Sequence, residues 1–149
     1  PRMRLDLSVN MLTMQALANG KITVFGGEQT RPNIHLKDLV AVYLHVLENP
    51  EAMTGIFNAG FENLSIMEIA KRVVSHVPAD VVVTESNDPR SYRLSSQKLL
   101  STGFNPVSSV EEGILEVIEA YRSGKLEMEE RYFNVKTMVR LIEEKKIIS

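Results

Sequence analysis

Apolar residues recur at helical spacing near the start of the chain and again in several later segments. Leu5, Val9 and Leu12 lie three or four residues apart, and Gly20 follows the same run. This spacing places the side chains on one face of a helix, and a glycine after such a run commonly ends the helix. The pattern therefore predicts a helix over residues 5–19.

The later helices carry polar residues that are typical of helix starts. Ser65 with Glu68, and Ser109 with Glu112, form the S-x-x-E capping box, in which each side chain accepts a hydrogen bond from the other residue's backbone N–H. Asp38 begins an apolar run and is expected to be an N-cap. The helices predicted from these and similar signals cover residues 38–48, 65–77, 95–103, 109–124 and, with Asn134 as its N-cap, 135–145.

Short apolar runs between these helices predict strands. They are ITVF at 22–25, NIHL at 33–36, GIFNAG at 55–60 and DVVVTE at 80–85. Gly26 and Gly27 follow the first run and predict a hairpin turn. Because buried parallel sheets have longer apolar strands, the fold class indicated is α/β, in the form of a small mixed α+β lobe and not a complete dinucleotide-binding domain.

Composition changes this picture by excluding several kinds of partner. The chain has 149 residues, of which 44% are hydrophobic and 24% charged, with a formal net charge of −2. These values are typical of a globular domain and disfavour nucleic acid or an anionic membrane as the partner. No cysteine is present, and no apolar run approaches the roughly 18 residues of a membrane span. We therefore expect a cytoplasmic protein with a lobe over residues 1–124 and a charged helical tail over residues 125–149.

Four residues carry groups that are suited to binding a diphosphate. Arg31 precedes Pro32, whose ring restricts the backbone and fixes where the guanidinium side chain starts. Asn58 lies in an apolar run and needs hydrogen-bond partners, while Arg90 and Tyr92 alternate onto one face of an extended segment. Together these groups are able to clamp phosphate oxygens through charge-assisted hydrogen bonds. Ordinary surface ion pairs are the other explanation for the two arginines.

Other groups with chemical potential are interpreted as structural. His35, His45 and His76 are scattered and lack the spacing of metal ligands. The pair Gly26-Gly27 lacks the third glycine and the following helix of a phosphate-binding fingerprint. The segment Tyr132–Lys136 matches the pattern Tyr-x-x-x-Lys but lies in the charged tail, and we interpret this match as a coincidence.

The order of six segments between residues 2 and 122 resembles the C-terminal half of NAD-dependent nucleotide-sugar epimerases and dehydratases, which are extended short-chain dehydrogenase/reductases. The segments are RMRLDLSVN, ITVFGGEQTRPNIHLKDLVAVYLHVLE, GIFNAG, LSIMEIAKRV, DPRSYRLSSQKLLSTGFNP and SVEEGILEVIEAY. Their shared order and spacing are specific, although no single segment is. The resemblance implies that this chain is the C-terminal substrate-binding portion of such an enzyme, without the Rossmann core that holds NAD or NADP.

The resemblance also implies roles for individual residues. Arg31 matches the arginine of the family pattern R-x-x-x-H-V-x-D, which contacts the substrate diphosphate. Asn58 matches the asparagine of Y-N-x-G, and Arg90 and Tyr92 match the pattern D-x-R-x-Y. Asn10 falls where a family loop and helix reach the nucleotide sugar. The implied substrate-binding residues are therefore these five.

The catalytic groups of the family are not among the segments that match. The reaction needs a glycine-rich turn for the cofactor and a Tyr-x-x-x-Lys pair whose tyrosine removes the sugar hydroxyl proton, and both would precede Pro1. The resemblance thus implies a chain that has no catalytic residue, binds no cofactor or metal and is inactive alone. Its partners would be a nucleotide-diphosphate sugar and the missing N-terminal lobe.

The absence of the N-terminal lobe would leave apolar surface of this lobe exposed, which predicts a homo-oligomer.

Two alternatives to the first interpretation remain. One is a non-catalytic module for nucleotide binding or assembly, and the other is part of a related NAD(P)-dependent reductase with a different substrate.

Overall fold

The computed structural model describes residues 3–86, 88 and 90–144. In chain order the elements are α1 (Ser8–Asn19), β1 (Lys21–Phe25), β2 (Thr30–Asn33), α2 (Leu36–Glu48), β3 (Glu62–Ser65), α3 (Ile66–His76), β4 (Asp80–Thr84), α4 (Gln97–Leu100), α5 (Val110–Arg122) and α6 (Asn134–Glu143), with a 3-10 turn at Glu130–Tyr132. The class is therefore mixed α/β, as the sequence predicts.

The helix signals that depend on near neighbours in the chain are confirmed. Gly20 ends α1 with a φ of +60°, and its N–H donates to the Ala16 carbonyl at 3.0 Å. The capping box of α3 is complete, because the Ser65 hydroxyl accepts from the Glu68 N–H at 3.1 Å and the Glu68 carboxylate accepts from the Ser65 N–H at 2.6 Å. The hydrogen bond from the Ser65 backbone also holds the pKa of Glu68 below its ordinary value.

The strands form two separate sheets of two strands each. β1 pairs in parallel with β4, with Ile22 opposite Val81, whereas β2 pairs antiparallel with β3, with Arg31 opposite Leu64. The predicted hairpin at Gly26-Gly27 is therefore wrong, since the two glycines lead the chain from one sheet to the other.

Two of the predicted strands are misplaced, because the strands in this region are largely polar. β2 covers residues 30–33 and not 33–36. GIFNAG at 55–60 is irregular, and β3 is formed by ENLS at 62–65, after Phe61. The Asn33 side chain donates to the Arg31 carbonyl at 2.9 Å and to the Glu62 carbonyl at 3.2 Å, and so joins the two strands. A search for apolar runs overlooks strands that are held together in this way.

The start of α2 also differs from the prediction. His35, and not Asp38, is the N-cap, because its Nδ1 accepts from the Lys37 N–H at 3.2 Å. Asp38 lies in the first turn and is only 1% exposed. Its two carboxylate oxygens accept from the N–H groups of Val107 at 2.9 Å and Ser108 at 3.1 Å. The buried carboxylate thus ties α2 to the loop that leads into α5.

Side-chain ion pairs make a second connection between α2 and α5. Ser109 caps α5 by accepting from the Glu112 N–H at 3.2 Å, which is the Ser109 half of the predicted capping box. The Glu112 carboxylate pairs with the Lys37 ammonium group at 2.5 Å, and Glu116 lies 2.7 Å from the same group. These contacts lower the pKa of both glutamates and raise that of Lys37.

The main apolar core lies between α1, α3, α5 and β1. Its fully buried members include Leu12, Ile22, Ile69, Val73 and Ile114. This arrangement leaves β4 on the outside, where all five of its residues are exposed.

A second apolar cluster joins the start of the chain to the predicted tail. Leu5 and Met14 pack in it with Leu126 and Tyr132, both of which are buried. The first residues of that tail are therefore part of the packed fold, while the boundary at residue 125 stays a prediction. α6 begins at Asn134 with Phe133 as its N-cap, so Asn134 is wrong as the cap, and the predicted helix end at residue 145 lies outside the described residues.

Candidate functional site

The segment at residues 90–96 follows the edge of the β2–β3 sheet. The Tyr92 N–H donates to the Thr30 carbonyl at 3.2 Å. Further along, the Asn63 side chain accepts from the Leu94 N–H at 2.8 Å and donates to the Leu94 carbonyl at 3.0 Å. These bonds connect positions that are more than 30 residues apart in sequence, and they bring Arg90 and Tyr92 beside Arg31 on β2.

Arg31, Asp88, Arg90 and Tyr92 form what we call the guanidinium cluster. Arg90 binds the Asp88 carboxylate through two nitrogens, Nε at 2.7 Å and Nη2 at 2.8 Å. Arg31 Nη2 donates to the same carboxylate at 3.2 Å, and its Nη1 donates to the Arg90 carbonyl. The Arg31 guanidinium carbon lies 5.2 Å from the centre of the Tyr92 ring. Three of the five predicted binding residues therefore meet.

The charge of the guanidinium cluster is positive. Two guanidinium groups surround one carboxylate, and the hydrogen bonds from Arg90 hold the pKa of Asp88 well below its ordinary range. The carboxylate is thus ionised at neutral pH, which leaves one net positive charge. The Arg31 side chain is 20% exposed and is held by backbone carbonyls, whereas the Arg90 side chain is 78% exposed. Arg31 is consequently the fixed member of the pair.

A cavity of about 230 Å³ adjoins the guanidinium cluster. Arg31 and Asp88 line it, together with the exposed aromatic ring of Phe25. Its apolar lining consists of Met11, Leu12 and Ile66. A site with an apolar side, an aromatic ring and a cation suits a flat apolar group that is attached to an anion.

The loop between β1 and β2 holds one side of this cavity. The Gln29 amide oxygen accepts from the Gly27 N–H at 2.7 Å, and its nitrogen donates to the Phe25 carbonyl at 2.5 Å. Gly27 has a φ of +107°, and a Cβ on it would lie 3.3 Å from a methyl group of Val24. The glycine and the glutamine thus fix the backbone that carries Phe25.

The other two predicted binding residues make separate contacts. Asn58 is exposed, and its amide donates to the Ser95 carbonyl at 3.4 Å. The Asn10 amide donates to the Arg4 carbonyl at 2.9 Å and contacts the sulfur of Met3 at 3.5 Å. Neither has a described contact with the guanidinium cluster, so a substrate role for either remains a prediction.

Sequence reasoning assigned no role to two residues of the site. Asp88 lies in the quoted sequence DPRSY, and its position two residues before Arg90 is a usable signal for a local Asp–Arg pair. Gln29 has no comparable signal, because its role depends on the positive φ angles of the two preceding glycines. The bond from Arg31 to the carboxylate spans 57 residues and depends on the tertiary fold.

The histidines and the Tyr-x-x-x-Lys match have structural contacts. His35 Nε2 lies 3.2 Å from Glu116, His45 Nε2 lies 2.8 Å from the Thr102 hydroxyl, and His76 pairs with Glu111. Tyr132 is buried and its hydroxyl accepts from Arg131 at 2.9 Å, while the Lys136 ammonium group lies 5.0 Å from the centre of the Phe133 ring.

The described residues contain neither a candidate metal site nor a candidate membrane span. No group of three His, Asp or Glu side chains in this part of the chain is placed to hold a metal ion. None of its helices combines the length and the apolar character that crossing a bilayer requires.

A larger cavity, of about 400 Å³, lies between α1, β1 and residues 128–133, away from the guanidinium cluster, and its lining is mostly apolar.

Residues 7–60 match the family model of the NAD-dependent epimerase/dehydratase family. The matched segment begins just before α1 and ends before β3. It contains Asn10, Arg31 and Asn58, and it ends before Asp88 and Arg90 in the sequence.

Solved structures of epimerases and dehydratases share the fold. TunA, an NAD-dependent NDP-hexosamine 5,6-dehydratase involved in tunicamycin biosynthesis, is 23% identical over 80% of this chain and 41% of its own, with a TM-score of 0.68. UDP-glucuronic acid 4-epimerase from Bacillus cereus, in complex with UDP-glucuronic acid and NAD, is 23% identical over 83% of this chain and 42% of its own, with a TM-score of 0.67. dTDP-glucose 4,6-dehydratase from Bacillus anthracis, in complex with NAD, is 17% identical over 89% of this chain and 43% of its own, with a TM-score of 0.67.

These likenesses define the class of fold. The fold of this chain is similar to that of a part of each of the three structures, and the chain spans less than half of their length.

Proposed function

We propose that this chain is the nucleotide-sugar-binding part of an NAD(P)-dependent epimerase or dehydratase. The observation that carries the proposal is the guanidinium cluster, in which two arginines from distant segments meet beside a cavity. A guanidinium group binds phosphate oxygens through parallel charge-assisted hydrogen bonds. Arg31 would hold the diphosphate in a fixed position, and Arg90 would turn from Asp88 towards it.

The cavity beside the guanidinium cluster supports a nucleotide as the ligand. A diphosphate bound at Arg31 places its attached groups at the entrance of the cavity, which Arg31 itself lines. The Phe25 ring and the apolar lining formed by Met11 and Ile66 suit the face of a nucleobase. Aromatic groups stack on each other, and binding removes apolar surface from contact with water. Binding energy from these parts would hold the sugar in place for chemistry elsewhere in the enzyme.

Under this proposal, the cofactor and the catalytic groups lie outside this chain. Within the described residues, Gly26 and Gly27 lead into β2 and not into a helix N-terminus, so this loop does not fit a dinucleotide pyrophosphate. Under the proposal, NAD(P) held by another lobe would supply the hydride acceptor for the oxidation of a sugar hydroxyl. The 149-residue chain is therefore expected to be inactive alone.

An exposed apolar face on α2 supports a further lobe. Five large apolar side chains on one side of this helix are between 52% and 75% exposed. They are Leu36, Val40, Tyr43, Leu44 and Leu47. A continuous face of this kind is usually covered in a complete protein, and the three similar structures are each more than twice as long as the part that this chain spans.

Nucleotide binding by three arginine variants tests the role of the guanidinium cluster. Isothermal titration calorimetry with UDP, GDP, CDP and dTDP is expected to show binding of at least one nucleotide by the wild-type chain. Arg31→Ala is expected to weaken it by about tenfold or more, because a charge-assisted hydrogen-bond pair is lost. Arg31→Lys is expected to recover part of the loss, since it restores the charge but not the planar fork. Arg122→Ala, at the exposed end of α5, is the matched control and is expected to bind like the wild type.

Two results would contradict the proposal. Equal binding by the wild type and Arg31→Ala would show that Arg31 is not part of the site. If none of the four nucleotides binds, the site is not a nucleotide site. Incubation of the chain with nucleotide sugars and NAD is expected to yield no product, so turnover would show that the catalytic groups lie within these 149 residues.

A further inference from the structure

Helix α6 exposes an apolar stripe that none of the residues described by the structure covers. None of its residues, Asn134–Glu143, is buried. Val135, Met138, Val139 and Ile142 recur at the spacing i, i+3, i+4 and i+7, and their exposed fractions lie between 47% and 72%. This spacing places the four side chains on one side of the helix, as in helices that pack against another helix.

The side of α6 that contacts the rest of the chain is a different one. Thr137 and Leu141 are the half-buried residues of the middle and end of the helix, and the Thr137 hydroxyl donates to the Arg131 carbonyl at 3.4 Å. At 3.6 residues per turn, these two positions point about 110° to 150° away from the centre of the stripe. The attachment of α6 to the fold therefore leaves the whole stripe available.

The charges beside the stripe indicate what covers it. Lys136, in the first turn, and Glu143, in the last turn, are both exposed. They are seven residues apart, so both lie along the same edge of the stripe. A second copy of the helix that runs in the opposite direction therefore places its glutamate beside this lysine and its lysine beside this glutamate.

We propose that the stripe is an interface between two copies of this chain, with their α6 helices antiparallel. A two-fold axis perpendicular to the helices near Val139 brings Val135 opposite Ile142 of the partner subunit, and Met138 opposite the partner's Val139. The same axis brings Lys136 to within about 3 Å, along the helix axis, of Glu143 of the partner subunit, and it does so twice. A parallel pair does not have this property, because it turns the Lys136 edge towards the side of the partner helix that is attached to its own fold.

The size of the stripe sets the strength of the dimer. A helix of ten residues is about 15 Å long, so the pair of α6 helices buries less than the roughly 1,600 Å² of a standard interface. The dimer is therefore weak and depends on concentration. The two ion pairs are exposed at the rim, where they select the antiparallel arrangement and contribute modestly to affinity.

Sedimentation equilibrium over a range of concentrations tests the interface. The wild-type chain is expected to show a monomer–dimer equilibrium, and Val139→Glu is expected to abolish it. Lys136→Glu and Glu143→Lys are each expected to weaken association by about tenfold, since each replaces two attractive pairs with two repulsive ones. The double variant Lys136→Glu/Glu143→Lys restores both pairs in reverse and is expected to dimerise like the wild type.

Lys71→Glu is the matched control, because it makes the same charge change at an exposed position of α3, outside α6, and is expected to leave association unchanged. All these positions are exposed, and circular dichroism is expected to show the wild-type spectrum for each variant. A wild-type monomer at every concentration, a dimer that survives Val139→Glu, or a double variant that stays as weak as the single ones would each overturn the proposal. The outcome is independent of nucleotide binding, which involves none of these residues.

Discussion

Replacing Asp38 provides a sharp test of how the fold is held together around α2. Its carboxylate is 1% exposed and accepts two backbone N–H groups, from Val107 and Ser108. Asp38→Ala removes both acceptors, and a hydrogen bond to a charged group contributes about 1.5–3 kcal/mol. Part of that gain offsets the cost of burying the carboxylate, so we expect Asp38→Ala to lower the free energy of unfolding by about 3 kcal/mol.

Asp38→Asn changes the hydrogen bonds while it keeps the shape of the side chain nearly the same. Its amide keeps one acceptor oxygen, but it turns an NH₂ group towards the second N–H, so we expect roughly half the loss that Asp38→Ala causes. Urea denaturation followed by circular dichroism measures both variants. For a chain of this size, a loss of about 3 kcal/mol corresponds to a decrease in Tm of about 6–12 °C. An Asp38→Asn variant that unfolds at the wild-type midpoint, or an Asp38→Ala variant within about 0.5 kcal/mol of the wild type, would refute this account of the carboxylate.

Three further predictions concern the core, a helix cap and the guanidinium cluster. Ile114→Ala empties a fully buried position and is expected to cost about 2–5 kcal/mol in urea denaturation; a loss below about 1 kcal/mol would contradict the assigned core. Ser65→Ala is expected to cost about 1 kcal/mol at neutral pH. Because the pKa of Glu68 is lowered in the fold, chiefly by the Ser65 backbone N–H, the contribution of its carboxylate is full above its ordinary pKa and is lost as the pH falls through the folded value. Glu68→Gln removes this titrating carboxylate and should therefore lose less stability in acid than the wild type; equal acid sensitivity of the two would count against the capping box. Asp88→Asn removes the carboxylate that occupies Arg90, and calorimetry is expected to show severalfold tighter nucleotide binding; weaker binding would mean that Asp88 holds the arginines in place for the ligand.

Local interactions explain which parts of the fold the sequence predicts well. The capping box of Ser65 and Glu68 and the glycine at the end of α1 are formed by residues within a few positions of each other. Their hydrogen bonds depend on little else, so the residue types alone are sufficient. The same holds for the pairing of Asp88 with Arg90, two residues apart.

Interactions between distant segments explain the errors. Gly26-Gly27 has the composition of a hairpin turn, but β1 finds its partner near residue 80 and β2 finds its partner near residue 64. Asp38 has the right type and place for an N-cap, yet the loop at residues 107–108 is available to its carboxylate and His35 caps the helix instead. In both cases a partner far along the chain decided between two locally acceptable structures.

The sequence by itself determined the helices, the mixed α/β class and the presence of two arginines in segments suited to anion binding. Only the tertiary structure decided that Arg31 and Arg90 share one carboxylate beside a cavity, that Asn58 and Asn10 bond elsewhere, and that an apolar stripe on α6 stays exposed among the described residues. The physical reason is that capping and amphipathic spacing are properties of a few neighbouring residues, whereas convergence and exposure depend on how the whole chain packs.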